Sequence, residues 1–217
     1  MTLYATPDHA RETPPCIILI GGPTCSGKTT LARAIATALP TGACSIITLD
    51  SYYRDLEHVP FEARATHNFD HPDSIDWELV TKHAEILARG EPVDAPEYDF
   101  ASHGRRARAV TVVPAPIIMI EGLLALHDRN LRVLADLRIF MHVDDATCLA
   151  RRILRDTEER GRTEASIAAQ YAATVRPMAE RFILPTRVYA DLDLNGAVQL
   201  GTLVDYVMEW LPQPPER

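Results

Sequence analysis

Short apolar runs bounded by turn residues alternate along this 217-residue chain with segments whose apolar residues recur at helical spacing. Runs such as "CIILI" are typical of buried strands, whereas "TTLARAIATAL" has the period of a helix with one apolar face. The alternation predicts an α/β fold in which a mainly parallel sheet has helices on both faces and ligands gather at the carboxyl ends of the strands. The predicted elements are strand 16–21, helix 28–39, strand 44–49, helix 77–89, strand 116–120, strand 137–143 and helices at about 146–160, 164–180 and 197–211.

Two stretches interrupt this alternation, residues 51–75 and residues 92–115. The first is rich in aromatic residues, His and Asp without clear periodicity, and the second contains "VDAPEYDF" and "RAVTVV", which predict a β-hairpin around "ASHGRR". Long irregular connections within a compact domain are usually functional or disordered, and their aromatic content argues against disorder here. We therefore expect both stretches to form a pocket for a small molecule.

The composition fits one globular domain, with 47% hydrophobic and 24% charged residues. We assign that domain to residues 16–211. The polar, proline-rich residues 1–15 and 212–217 are predicted to be mobile tails.

The net charge of −8 makes a general nucleic-acid surface unexpected. The N-terminal 15 residues lack a signal-like apolar segment, and no run approaches the ~18 apolar residues of a membrane span, so we expect no membrane partner. The four cysteines have no paired spacing, which favours a reducing cytoplasm over a disulfide framework or a structural zinc site.

The stretch "GGPTCSGKTT" matches the phosphate-cradling pattern of Gly, four residues, Gly-Lys-Ser/Thr in every fixed position. Glycines are needed there because backbone N–H groups must surround phosphate oxygens at a helix N-terminus. An ordinary glycine turn between strand and helix is the alternative. The residues assigned to nucleotide binding are Gly22, Pro23, Thr24, Cys25, Ser26, Gly27, Lys28, Thr29 and Thr30.

Acidic residues follow two of the predicted strands. Asp50 follows "CSIITL", which makes it the candidate to orient an acceptor hydroxyl and take its proton, unless it only caps the next turn. Glu121 follows "IIMI" and is assigned, with the Thr29 hydroxyl, to Mg²⁺; the alternative is again a capping role. Lys28 would contact the β and γ phosphates.

The segment "ARRILRDTEERGR" has five arginines, and a continuing helix would place Arg152, Arg155 and Arg162 along one side. Guanidinium groups bind phosphate bidentately, so residues 151–163 are predicted to form a lid, with Arg155 and Arg160 catalytic and Arg162 in substrate binding. The alternative is a solvated helix neutralised by Asp156, Glu158 and Glu159. We favour that alternative for Arg151.

From about residue 16 to about residue 194 the chain resembles the uridine kinases, also called uridine-cytidine kinases. The resemblance rests on ordered motifs that are more specific than the phosphate loop, namely "LDSYY", "NFDHPDSID", "PEYDFASHGRR", "IEGLLAL", "RRILRDTEERGR", "QYAATVRPM" and "ILPTRVYAD". It implies a P-loop kinase fold of three layers and transfer of the γ-phosphoryl group to the 5′-hydroxyl of uridine or cytidine. It also implies Mg²⁺, a homotetramer and inhibition by pyrimidine triphosphates.

The resemblance also implies residue roles. Asp50 is similar to the family's catalytic aspartate, Thr29 and Glu121 to its magnesium positions, and Asp70 and Arg152 to residues that hold the ribose hydroxyls. The residues similar to the wall around the pyrimidine are Tyr53, Phe69, Tyr98, Phe100 and His103, with Gln170 nearby. The physical reading agrees, because aromatic faces hold a flat base and a carboxylate accepts bonds from vicinal hydroxyls.

Some questions stay open from sequence alone. His142 stands where the family more often has Asp, and "LDLNGAVQL" replaces a more usual "IIPRG"-like ending. No element that would distinguish adenine from guanine is recognisable, so ATP and GTP are both candidate donors. Two alternatives to a pyrimidine nucleoside kinase are a P-loop kinase for another acceptor, such as nicotinamide riboside, and a nucleotide-dependent switch ATPase.

Overall fold

The computed structural model describes residues 14–64, 67–100 and 102–211. Nine strands occur there: β1 (Cys16–Gly21), β2 (Cys44–Thr48), β3 (Val93–Ala95), β4 (Tyr98–Asp99), β5 (Gly104–Arg105), β6 (Val110–Val112), β7 (Ile117–Glu121), β8 (Leu137–His142) and β9 (Leu192–Asn195). The α-helices of this part are α1 (Lys28–Ala38), α2 (Phe61–Arg64), α3 (Trp77–Ala88), α4 (Arg129–Leu134), α5 (Asp145–Arg160), α6 (Glu164–Gln170), α7 (Arg176–Met178) and α8 (Leu200–Met208).

Five strands form the central sheet in the order β2-β7-β1-β8-β9, and all their pairings are parallel. The predicted α/β fold with a mainly parallel sheet is therefore confirmed. The register places Glu121, the last residue of β7, between Ile20 of β1 and Thr48 of β2. The carboxyl ends of these three strands consequently meet at one edge.

Alternation along β1 explains the three layers. Ile17 and Leu19 pack into one buried cluster with residues of α3 and α4, while Ile18 and Ile20 pack into a second cluster with residues of α1 and α8. Successive side chains of a strand point to opposite faces, so a sheet covered on both sides requires an apolar residue at each position. This is why the strands read as continuous apolar runs.

The predicted hairpin within residues 92–115 is present as two short antiparallel pairs. β3 pairs with β6, and β4 pairs with β5 closer to the turn. Arg105 joins this hairpin to the body of the protein: its Nε donates to the Tyr53 carbonyl at 2.9 Å, and its Nη2 lies 3.0 Å from Asp76 Oδ2. The hairpin is thus held against the turn that follows β2.

Two differences from the predicted elements have physical causes. β9 was not predicted because its four residues alternate between buried and exposed, as suits an edge strand, and give no continuous apolar run. The predicted helix 164–180 continues to residue 189, with π-helical segments on both sides of α7, where Pro177 lacks the N–H of a regular helical bond. α8 begins at Leu200 instead of residue 197.

The predicted tails lie mostly outside the described residues, which begin at residue 14 and end at residue 211. Among the helices of the described part, none has the length and apolar character needed to cross a membrane.

Candidate active site

The phosphate loop connects β1 to α1 and is packed tightly against the sheet. Gly22 has a φ of 134°, and a Cβ there would collide with the carbonyl oxygen of Met141 on β8. Gly27, also left-handed, caps the N-terminus of α1. Lys28 is buried and its Nζ donates to the Pro23 carbonyl at 2.7 Å. Tight packing therefore fixes the conformation of the loop, and the Lys28 ammonium group lies inside it.

A second loop, which follows β9, lies against the phosphate loop. A Cβ on Gly196 would collide with the Ser26 carbonyl oxygen, so glycine permits this close approach. Arg151 connects the same two loops, because its guanidinium donates to the Cys25 carbonyl at 3.3 Å and to the Gly196 carbonyl at 3.1 Å. The sequence interpretation of Arg151 as part of a solvated helix face was therefore wrong.

Lys28 shares its surroundings with two carboxylates. Asp50 lies in the 3-10 helix Leu49–Tyr52 directly after β2 and accepts a hydrogen bond from the Tyr53 hydroxyl at 3.3 Å. Burial raises the pKa of Asp50 above its usual value, while the charge of Lys28, the hydrogen bond from Tyr53 and the charges of Arg160 and Arg155 oppose the rise. Burial likewise raises the pKa of Glu121, again opposed by Lys28. A group able to accept a proton is thus placed beside the phosphate loop.

The oxygen donors near Glu121 suit Mg²⁺. Burial raises the pKa of the Glu121 carboxyl, and hydrogen bonds from the Thr48 and Thr29 side chains partly oppose this rise, so the Thr29 hydroxyl and the Glu121 carboxylate are neighbours. No cluster of three or more His, Cys, Asp or Glu with metal-binding geometry occurs in the described part of the chain. Mg²⁺ in phosphoryl-transfer sites is usually held by one or two carboxylates together with substrate phosphates and water.

The arginine segment 151–163 is not one continuing helix, and its break agrees with the predicted helices 146–160 and 164–180. α5 ends at Arg160, Gly161 follows in a left-handed conformation, and Arg162 lies between α5 and α6. The arginines nevertheless converge, because all four from Arg152 to Arg162 lie within 4.0 Å of the buried carboxylate of Asp156. Asp156 is therefore not a solvated counter-charge, which the alternative interpretation of this segment had assumed. Motion of the segment as a lid stays a prediction.

Aromatic side chains from three segments form one side of the cleft. Phe69 contacts both Tyr53, at 5.1 Å between ring centroids, and His103, with which it stacks at 5.5 Å. Phe100 is half exposed, and the Arg160 guanidinium lies 5.8 Å from the centre of its ring. Tyr98 is buried behind Tyr53 and Phe100. Four of the five predicted base-wall residues thus face the cleft, with Tyr98 in the layer behind them.

Another side of the cleft is polar and is formed by Asp70, Arg152 and Gln170. Burial raises the pKa of Asp70, and the positive charge of Arg152 is the main effect opposing it. Arg152 donates to Thr24 Oγ1 in the phosphate loop at 3.1 Å and to Gln170 Oε1 at 3.2 Å. Through Arg152 the predicted sugar-binding residues are connected to the phosphate loop.

These groups line one open cleft of about 1490 Å³. Phosphate-loop residues and Glu121 lie along it together with Asp50, Asp70, the aromatic residues and the arginines. A cleft of this size exceeds the usual volume of a site for one small ligand, and so has space for a nucleotide and an acceptor side by side.

Sequence reasoning did not assign site positions to Arg151, Asp156 or Arg105. One signal was available for Asp156, which follows Arg152 by four residues and so shares its helix face. The carbonyl contacts of Arg151 and Arg105 join segments far apart in the sequence, and no local pattern indicates them.

Comparison with known proteins shows the family to which the chain belongs. Residues 17–199 match the family model described as "Phosphoribulokinase / Uridine kinase family". The chain is 43% identical over 178 residues to a protein named uridine kinase from Deinococcus deserti, covering 82% of this chain and 86% of that protein. It is 40% identical over 199 residues to one of the same name from Clostridium novyi, covering 92% and 96%.

A solved structure is also similar. It is the structure of a putative fructose transport system kinase from Silicibacter sp. TM1040, with a TM-score of 0.67 and 26% identity, covering 85% of this chain and 92% of that one.

Proposed function

Because the chain belongs to the phosphoribulokinase / uridine kinase family, we propose that it phosphorylates uridine and cytidine at the 5′-hydroxyl to give UMP and CMP. The chain is a phosphotransferase of the P-loop kinase type. The observation that carries the substrate assignment is the shared cleft, in which Asp50 lies between the phosphate loop and a pocket with both an aromatic side and a carboxylate.

The proposed transfer uses groups already in position. Asp50 accepts the proton of the 5′-hydroxyl while the oxygen of that hydroxyl forms a bond to the γ-phosphorus. The bond from the γ-phosphorus to the β–γ bridging oxygen breaks in the same step. Lys28, Arg155 and Arg160 balance the negative charge of the moving phosphoryl group and of the departing diphosphate. The positive charges of these three residues already act on the pKa of Asp50, which supports their placement around one centre.

The donor is proposed to be ATP or GTP with Mg²⁺, and the backbone from Gly22 to Thr30 forms the phosphate cradle. Thr29 and Glu121 would hold the ion, which supplies charge neutralisation to the phosphates when bound. The buried hydroxyl of Ser26, for which the described residues offer no hydrogen-bond partner, suits a phosphate oxygen.

The acceptor is proposed to bind with its ribose on Asp70 and Arg152 and its base against the aromatic side. The buried Nδ1 of His103 has no hydrogen-bond partner among the described residues, which suits contact with a polar edge of a base. Arg162 and Gln170, joined by a 2.7 Å hydrogen bond, close the pocket beside Arg152.

The two alternatives are less well supported. A switch ATPase needs a positioned water and has no use for an aromatic and carboxylate pocket beside its catalytic acid. A nicotinamide riboside kinase would use the same sugar contacts, but the curated relatives named above are uridine kinases.

We further propose a homotetramer in the cytoplasm, built from one kinase domain of residues 16–211. Exposed apolar residues near α4 and the 3-10 helix Leu184–Tyr189, including Val133 and Val188, support an assembly surface. The four cysteines are all free, as suits a reducing compartment. No nucleic-acid partner is proposed.

Product formation from ATP and Mg²⁺ with a panel of acceptors tests the proposed function. We expect UMP and CMP from uridine and cytidine, and little product from nicotinamide riboside, pantothenate or ribulose 5-phosphate. Faster turnover of one of the last three, or equal ATP hydrolysis with and without nucleosides, would replace the proposal with one of its alternatives.

Discrimination against 2′-deoxyuridine is the expected consequence of the Asp70 contact. A missing 2′-hydroxyl leaves a desolvated carboxylate under-satisfied, at a cost of about 1 to 3 kcal/mol. We therefore expect kcat/KM for deoxyuridine to be about 5- to 150-fold below that for uridine. Asp70→Asn should lower kcat/KM for uridine and bring it closer to the value for deoxyuridine. Asp73→Asn, which changes an exposed neighbour, should leave both kcat/KM values unchanged. Equal kcat/KM for both nucleosides in the wild type would exclude the contact.

Base tolerance is the expected consequence of His103. Uracil has an acceptor at C4 and cytosine a donor, and a neutral imidazole can serve either one by a change of tautomer. We expect kcat/KM for uridine and cytidine to agree within about tenfold, or 1.4 kcal/mol. His103→Gln should keep part of this tolerance because an amide can flip, and His103→Ala should lower both activities or alter their ratio.

Steady-state kinetics on both nucleosides check this prediction, with exposed His58→Gln as the matched control. An unchanged ratio with both activities retained in His103→Ala would show that His103 only packs on Phe69.

A further inference from the structure

A single buried carboxylate organises the arginine segment. Asp156 on α5 has 0% of its side chain exposed, although most of its neighbours in sequence are charged. Four guanidinium groups converge on it: Arg155 Nη2 at 2.8 Å, Arg162 Nη1 at 3.4 Å, Arg152 Nε at 3.6 Å and Arg160 Nε at 3.7 Å. Four positive groups and one negative group leave three formal positive charges beside the phosphate loop. Such a cluster would repel itself without an internal anion.

The contacts of Asp156 belong to a network of ion pairs and hydrogen bonds that links it to α6 and to the phosphate loop. Asp156 Oδ2 faces both Arg152 and Arg162, and both of those arginines donate to Gln170 Oε1 on α6, at 3.2 and 2.7 Å. Arg152 also donates to Thr24 of the phosphate loop. One carboxylate therefore fixes guanidinium groups in relation to α5, α6 and the loop together.

We propose that Asp156 is a positioning residue for phosphoryl transfer, which holds these arginines in the arrangement that meets the triphosphate. Long arginine side chains have many rotamers, and charge stabilisation is effective when donors are already oriented before the reaction. Asp156 itself has no exposed surface with which to contact a ligand and acts through the arginines. The inference rests on the proposed kinase function and adds a residue to it.

A purely structural role for Asp156 predicts different behaviour. The Asp156 main-chain carbonyl accepts the N–H groups of Gly161 and Arg162, which ends α5, but any side chain at position 156 allows those bonds. Asp156→Asn thus removes the carboxylate charge and keeps the helix end. Asp156→Glu keeps the charge and displaces it by one methylene group.

The experiment compares wild type, Asp156→Asn, Asp156→Glu and Glu158→Gln in steady-state kinetics with ATP, Mg²⁺ and uridine, alongside thermal melting. Glu158→Gln is the matched control because it makes the same charge change at an exposed position of α5. We expect kcat to fall about 10- to 100-fold in Asp156→Asn, since misplacement of catalytic groups by about 1 Å has effects of that size. The KM for ATP should stay within about threefold of wild type or fall, because the freed guanidinium groups still attract phosphate.

Asp156→Glu should have a melting temperature close to that of wild type and a kcat that remains low. Glu158→Gln should match wild type in both melting temperature and kcat. Full recovery of kcat in Asp156→Glu would show that charge balance suffices, and overturns the proposal even if Asp156→Asn does not fold. The proposal is also overturned if kcat of Asp156→Asn stays within about twofold of wild type. It is likewise overturned if the loss of kcat only matches the fraction of Asp156→Asn that is unfolded. Wild-type uridine turnover in the same assay tests the proposed function separately; if it is absent, the variants are compared by ATP hydrolysis without acceptor.

Discussion

Asp50→Asn should bind nucleotide and fold like the wild type, yet lose about 10² to 10⁴ of its turnover, the usual contribution of a general base. The amide preserves the shape of the side chain and can still accept the Tyr53 hydroxyl bond, but it cannot take the proton of the acceptor. Steady-state kcat with uridine, together with nucleotide affinity, measures the effect. Asp73→Asn is the matched control, since its side chain is 92% exposed. Near wild-type kcat in Asp50→Asn would refute the assignment.

The pH profile gives an independent check on Asp50. Its pKa is raised by burial, and a base acts only when deprotonated, so wild-type kcat/KM should fall as the pH drops through that raised pKa. Asp50→Asn should lose this acidic limb. An identical limb in the variant would assign it to another group, such as Glu121, whose pKa is also raised by burial.

Lys28→Met is the second variant with a large expected effect, a loss of about 10² to 10³ in kcat, comparable with removal of one preorganised donor to transition-state charge. Methionine fills the buried stem of the side chain, so the fold should persist. The loss has two parts, because the phosphates lose a point charge and the carboxyls of Asp50 and Glu121 lose the main group that opposes the rise of their pKa values.

Lys82 provides the control for Lys28, since it is the other lysine of the chain and lies exposed on α3. Lys82→Met should match wild type in kcat and in KM for ATP. A kcat of Lys28→Met within tenfold of wild type would remove the lysine from the proposed charge balance.

Much of the fold was predictable because its signals are local. The run "CIILIG" forms β1 at the predicted residues 16–21, because both faces of that strand are buried and require apolar side chains. The phosphate loop was equally predictable, because its backbone needs positive φ angles at Gly22 and Gly27 and glycine adopts them without strain. Acids after β2 and within the end of β7 could be assigned to one site because parallel strands end at the same edge of the sheet.

Other features depended on contacts between distant segments. β9 has a weak local pattern and is fixed by its pairing with β8. Arg151 was misjudged because the carbonyl groups it bonds, at Cys25 and Gly196, come from loops 126 and 45 residues away. Tyr98 was assigned to the base wall, yet its side chain lies behind that wall, since hairpin register and packing determine which aromatic ring faces the cleft.

The sequence by itself determined the α/β alternation, the phosphate loop and the residue types of the site, because helix period, strand burial and glycine geometry act over a few residues. Only the tertiary structure decided where the charges of the arginine segment go. From the sequence Asp156 is one acid among several on a charged helix; folding buries it and brings four arginines to it from α5 and the turn beyond. Burial, and with it the strength of an electrostatic contact, is a property of the packed molecule that no local pattern encodes.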